Sequence, residues 1–104
     1  MPTTPAQRTA IVAKALSHPV RVQIVGLLAA QTECRGADLF AELPLAQSTV
    51  SEHLRILRDA GVVSSRPVGA SAVYCLHPEV LSEFAAQVGE LASAAPVCAS
   101  GRSC

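Results

Sequence analysis

The sequence predicts a mainly α-helical α+β domain with one small β-hairpin, in the order α-α-α-α-β-β-α. Three observations carry that expectation. Apolar residues recur at three- and four-residue intervals over most of the first sixty positions and again after Pro78. Two short runs rich in β-branched and aromatic residues, 62–66 and 71–76, flank a turn signal. Glycine or proline punctuates most of the boundaries between these segments. At 104 residues, half of them apolar, the chain makes one small domain whose core is thin for a monomer, a shortage that dimerisation relieves.

Val12 and Leu16 define a short first helix, and Pro19 suits the first turn of a second that buries Val20, Ile24, Leu27 and Leu28. After the polar break 31–36, the segment from Ala37 to Leu43 carries Leu39, Phe40 and Leu43 at helical spacing until Pro44 interrupts it. Residues 45–61 then read as one helix. Val50, Leu54 and Leu57 form an apolar back, Ser48, Ser51, Glu52 and Arg55 project from the other side, and Gly61 supplies a left-handed stop. A short helix, a tight turn and a longer helix with a polar face make the helix-turn-helix pattern.

Beyond Gly61, the two β-rich runs and the turn Pro67-Val68-Gly69-Ala70 read as a two-stranded wing. Pro78 opens a last helix in which Leu81, Phe84, Val88 and Leu91 recur at 3-4-3 spacing. Such a stripe serves equally to pack on its own domain or lengthwise on a partner's helix. The intersubunit use is preferred here, with Val12, Leu16, Leu81, Phe84, Val88 and Leu91 as the dimer interface. Periodicity stops after Ala92. The expected organisation is therefore a DNA-binding and dimerisation domain over 1–92 and a mobile cysteine-containing tail over 93–104.

The formal charge is zero, with eight basic and eight acidic residues, which at first argues against a phosphate-binding surface. The charges are nevertheless segregated. Arg8, Lys14 and Arg21 stand without an acid in the first thirty residues, Arg55, Arg58 and Arg66 lie in the middle, and Glu79, Glu83 and Glu90 come near the end. No stretch is apolar for long enough to cross a bilayer and the start of the chain has no apolar signal region, so a cytoplasmic location is expected. In that compartment four cysteines are expected as reduced thiols rather than as a disulfide framework. No nucleophile-base pair, phosphate loop or HExxH spacing supports catalysis, and no enzyme activity is expected.

Three stretches together resemble the ArsR-type (ArsR/SmtB) winged-helix repressors of bacteria: Leu16-Ser-His-Pro-Val-Arg21 with the Ile24/Leu27/Leu28 helix, Gln47 through Gly61, and the wing ending Val73-Tyr74. The resemblance covers nearly the whole chain. It implies a homodimer that binds operator DNA and lets go when an inducer binds. Two features depart from the family pattern. Ala46 stands where a capping serine is frequent, leaving Ser48 or Thr49 as substitutes, and the wing turn carries one basic residue, Arg66.

On this reading Gln47 makes bidentate contacts with adenine, Ser48, Thr49 and Ser51 bond phosphates or base edges, and Arg55 reaches a guanine or a phosphate. Glu52 shares that face. His53, beside the buried stripe, either orients the helix or reads a base, and Arg66 adds a weak minor-groove contact. A two-fold dimer sets two such helices about 34–36 Å apart and predicts an inverted-repeat operator.

Cys98 and Cys104, separated by five residues in the tail, can converge on one thiophilic centre. A trivalent metalloid takes two or three thiolates and no imidazole, and His18, His53 and His77 are scattered along the chain, so zinc sensing is not expected. Arsenic-responsive members of the resembled family also have C-terminal cysteines with this spacing, often with a third where Val97 stands here. The expected ligand set is Cys98, Cys104 and Cys34, with As(III), Sb(III) or a methylated arsenical as inducer and no permanently bound cofactor. Cys34 is equally read as a buried non-ligand, and Cys75, in a wing strand, is read as a small buried hydrophobe and left out of the site. The alternatives are a redox repressor in which Cys98 and Cys104 pair under oxidant, and a sensor of a soft divalent ion such as cadmium or lead.

Overall fold

A computed structural model describes residues 3–94. Helix α1, Pro5–Ala15, begins with a reciprocal capping box between Thr4 and Gln7. Helix α2, Pro19–Ala29, is capped by Nδ1 of His18, which accepts from the Val20 amide at 3.1 Å. Strand β1, Arg35–Gly36, leads into a single 3₁₀ turn, Ala37–Phe40. Helix α3, Gln47–Asp59, strands β2, Val63–Val68, and β3, Ser71–Leu76, and helix α4, Pro78–Ala94, complete the order.

The segment 37–43, expected as a full helix, is that 3₁₀ turn. Its amides at Ala41 and Leu43 reach back only three residues, to Asp38 and Phe40. Arg35 and Gly36 are drawn into the sheet and Pro44 blocks the far end, so too few residues remain for an α-helix. The last helix also runs past Ala92 and takes in residues 93 and 94, which the sequence places in the tail.

The sheet has the order β1-β3-β2, all antiparallel. The wing closes through Gly69, whose φ of 61° suits a two-residue connection. Pro67 is accommodated because β2 is an edge strand. Helix α3 ends in a Schellman motif: the Gly61 amide bonds Arg58 O and the Val62 amide bonds Leu57 O, with φ of 82° at Gly61.

One core joins the helices, the 3₁₀ turn and strands β2 and β3. Ile24, Leu57 and Val62 are wholly inaccessible, and Val12, Ala15, Leu28, Phe40, Val50, Leu54 and Val63 are buried around them. The apolar back of α3 therefore rests on α2 and the base of the wing, which leaves its polar face outward. No residue of α4 is fully buried. It packs on α1, where Arg8 pairs with Glu83 at 2.7 Å across the two helices.

Candidate nucleic-acid interface

Gln47, Ser48, Thr49, Ser51, Glu52 and Arg55 are all exposed on α3. The apolar back of the helix, Val50, Leu54 and Leu57, is buried, so orientation is imposed by packing rather than by the polar residues themselves. The N-cap is Ala46 and no side chain bonds the first-turn amides, so neither Ser48 nor Thr49 replaces a capping serine. The amide ends that remain point outward from an exposed turn, where a phosphate oxygen would satisfy them.

Arg55 is not a free cation. It donates from Nε to Glu52 at 3.0 Å and from Nη1 to Asp59 at 2.9 Å, one carboxylate a turn before it and one a turn after. The guanidinium accordingly holds the Glu52 carboxyl below its usual range, and the two acids raise Arg55 above its own. A phosphate or guanine must compete with both carboxylates for this side chain. Arg66 lies exposed on β2 with no ion pair among the described residues, the opposite situation.

His53 is turned away from this face. It packs on His18, with ring centroids 4.5 Å apart, and takes a contact from Arg21 at 3.2 Å. Two histidines far apart in sequence therefore meet, contrary to the expectation that they are scattered, because His18 opens α2 where α3 crosses it. Arg21 also donates to Ala15 O, Lys14 O and Ser17 Oγ, so this basic residue is spent inside the fold. Among the described residues no three His, Cys, Asp or Glu side chains gather as a metal-binding group.

The cysteines are arranged differently from the expectation. Cys34 and Cys75 are joined in a disulfide, with Cα atoms 4.5 Å apart. The register that pairs Arg35 with Tyr74 sets them directly opposite one another at the sheet margin. Cys75 is thus neither a plain apolar residue nor fully buried, and Cys34 is not a free thiolate here. Cys98 and Cys104 lie outside the described residues.

Of the residues expected at a dimer interface, Val12 is 6% exposed and belongs to the core, on the helix that packs against α4. Leu16, Leu81 and Phe84 lean on that core as well. Val88 and Leu91 remain outward at 44% and 71% exposure, joined by Ile11 at 43%. Leu91 alone of these lines an apolar groove of about 730 Å³ between α1 and α4, with Ala10, Ala13, Gln87 and Ala94.

The model of a family described as bacterial regulatory protein, arsR family, matches residues 18–65, from the α2 cap through β2. An HTH-type transcriptional regulator of Methanocaldococcus jannaschii is 33% identical over 85 residues, covering 82% of this chain and 96% of that protein. The chain belongs to the ArsR family. A second relative, the arsenic resistance transcriptional regulator ArsR1 of Pseudomonas putida, is 39% identical over 70 residues, which are 67% of this chain and 55% of ArsR1. The chain spans less than two thirds of the length of several curated relatives it matches. Among solved structures, a homodimeric winged helix-turn-helix DNA-binding domain from Mycobacterium bovis superposes with a TM-score of 0.64 at 30% identity, over 83% of this chain and 79% of that one. The four helices and the winged sheet are thus those of an ArsR-family regulator. No single helix among the described residues is long and apolar enough to cross a membrane.

Proposed function

We propose that this ArsR-family protein is a cytoplasmic homodimeric repressor that covers an inverted-repeat operator with α3 and the wing. The observation that carries the reading is the exposed face of α3, where Gln47, Ser48, Thr49 and Ser51 stand clear of the core on a helix whose first amides have no side-chain cap. Gln47 reads adenine, the hydroxyls bond base edges or phosphates, and Arg66 supplies charge at the wing. Two-fold pairing through the α1/α4 face, where Leu91 lines the groove and Val88 is also exposed on α4, sets the two α3 helices in successive major grooves. The homodimeric relative from Mycobacterium bovis supports that assembly.

The inducer we assign is a trivalent arsenical or antimonite held by Cys98 and Cys104. The five-residue spacing supports it, as does the similarity to a regulator named for arsenic resistance. Cys34, engaged with Cys75, is not needed by a two-thiolate ligand such as a methylated arsenical.

The test is operator anisotropy under strong reductant with arsenite, phenylarsine oxide, antimonite, cadmium or zinc added in turn. Release by the trivalent compounds, lost in Cys98→Ser and Cys104→Ser, is expected. Release by cadmium alone, or induction retained in both variants, overturns the assignment of the inducer. Failure to bind any fragment of the promoter region overturns the repressor itself.

A further inference from the structure

Cys34 and Cys75 are distant in sequence but face each other across the margin of the sheet. Their Cα separation of 4.5 Å is what any directly opposed antiparallel pair without mutual hydrogen bonds adopts, so the two thiols are held within bonding reach by the fold itself. Cys34 ends the α2–β1 connection, and β1 runs through the 3₁₀ turn toward α3, while Cys75 lies in β3, the strand that carries the wing. A bond between them ties the reading helix's approach to the base of the wing. Without it, β1 contributes only two residues of pairing. Both cysteines are half-buried and border a groove of about 370 Å³ that also takes in Gln31, Thr32 and Glu33, so small solutes reach the sulfurs from solvent.

We propose that Cys34 and Cys75 form a reversible thiol/disulfide couple, closed by hydroperoxides and opened by dithiols, that staples the wing to the helix-turn-helix and tightens operator binding. In the closing reaction one thiolate attacks the O–O bond of the peroxide. It takes an OH to become a sulfenic acid, and the alkoxide or hydroxide that leaves picks up a proton. The second thiol then displaces the sulfenic oxygen as water and the S–S bond forms. In balance, one peroxide and two thiols yield one disulfide, one alcohol or water from the peroxide, and one further water. The pair needs no rearrangement to bond, so its effect is to remove wing motion rather than to distort the reading face. The operator arm of the proposal rests on the repressor reading above. The couple itself uses neither Cys98 nor Cys104.

The experiment uses the full chain carrying Cys98→Ser and Cys104→Ser. After dithiothreitol it is expected to take up two maleimides per chain, after hydrogen peroxide none, and two again on re-reduction. In parallel, operator affinity is expected to be about tenfold tighter in the oxidised form. Adding Cys34→Ser, or separately Cys75→Ala, is expected to leave affinity at the reduced value with or without peroxide. Two maleimides still taken up after peroxide, a crosslink between chains in place of one within the chain, or equal operator affinity in the two forms overturns the proposal. A maleimide count that falls to none while neither form binds operator overturns the repressor reading and leaves the couple standing.

Discussion

Arg21 donates from Nη1 to Nδ1 of His53 across 3.2 Å, joining the start of α2 to the middle of α3. A guanidinium has only protons to offer, so Nδ1 must present its lone pair and the ring is neutral with its proton on Nε2. Burial, then the neighbouring His18 and Arg21, push His53 below its ordinary value of 6.5. That neutral ring is one of the contacts between α2 and α3.

A pH dependence follows with a definite sign. The unfolded chain takes up the His53 proton near its ordinary pKa, and the folded chain takes it up only at lower pH. The stability that the neutral ring contributes is therefore complete above about pH 6.5 and is lost as pH falls through the folded value. Urea midpoints of the wild type are expected to drop between about pH 7.5 and pH 5.5 by more than those of His53→Gln. Parallel pH profiles for the two proteins would show that the histidine carries no such linkage.

On the proposed function, Glu52 competes with DNA for Arg55. Glu52→Gln removes the carboxylate that binds two nitrogens of the guanidinium, leaving only Asp59. Operator affinity is expected to rise about three- to tenfold, with a salt dependence steeper by roughly 0.9 in log–log slope, the increment for one additional phosphate contact. Anisotropy titrations across a salt series measure both quantities, and an unchanged slope would mean that Arg55 does not reach the backbone.

Gly61 holds a φ of 82°, and a methyl group added there meets nothing within 4 Å. Gly61→Ala therefore isolates the conformational cost of the left-handed residue from any clash, and a loss of about 1–2 kcal/mol is expected by denaturant unfolding. Gly26→Ala, inside α2 and equally open, is the control and is expected to be stabilising by about 0.5–1 kcal/mol.

Leu91 is the most exposed large apolar residue described, at 71%. Leu91→Asp places a carboxylate on the face assigned to the partner helix, and a shift from dimer to monomer is expected by light scattering at micromolar concentration, with unfolding of the monomer unit little altered. A dimer that survives this change would move the interface elsewhere.

The elements that the sequence makes legible are those built from local periodicity. Val50, Leu54 and Leu57 announce the buried side of α3, and Gly61 its end, because helix spacing and the left-handed stop are properties of neighbouring residues. Arg55 was legible in part. Glu52 and Asp59 stand three before and four after it, a spacing that foretells the clamp, yet its charge invites a reading as a free contact. The Cys34/Cys75 pair and the meeting of His18 with His53 were not legible, since each depends on elements brought together from separate parts of the chain. A two-residue strand has no alternation to reveal it, so nothing local marks Cys34 as the partner of a wing residue. The exposed polar face of α3 was fully readable, whereas the inward turn of His53 was decided by packing.

Pro67 has a consequence beyond the shape of the wing. It sits in β2, the outer strand on one side of the sheet, and brings no N–H to an incoming strand. The opposite margin, β1, is only two residues long. Both borders are thus poor templates for another β-segment, and the sheet is guarded against runaway edge-to-edge growth into aggregates. Association through the sheet edges is thereby disfavoured, which leaves the exposed apolar residues of α4, Val88 and Leu91, as the better surface for a second copy.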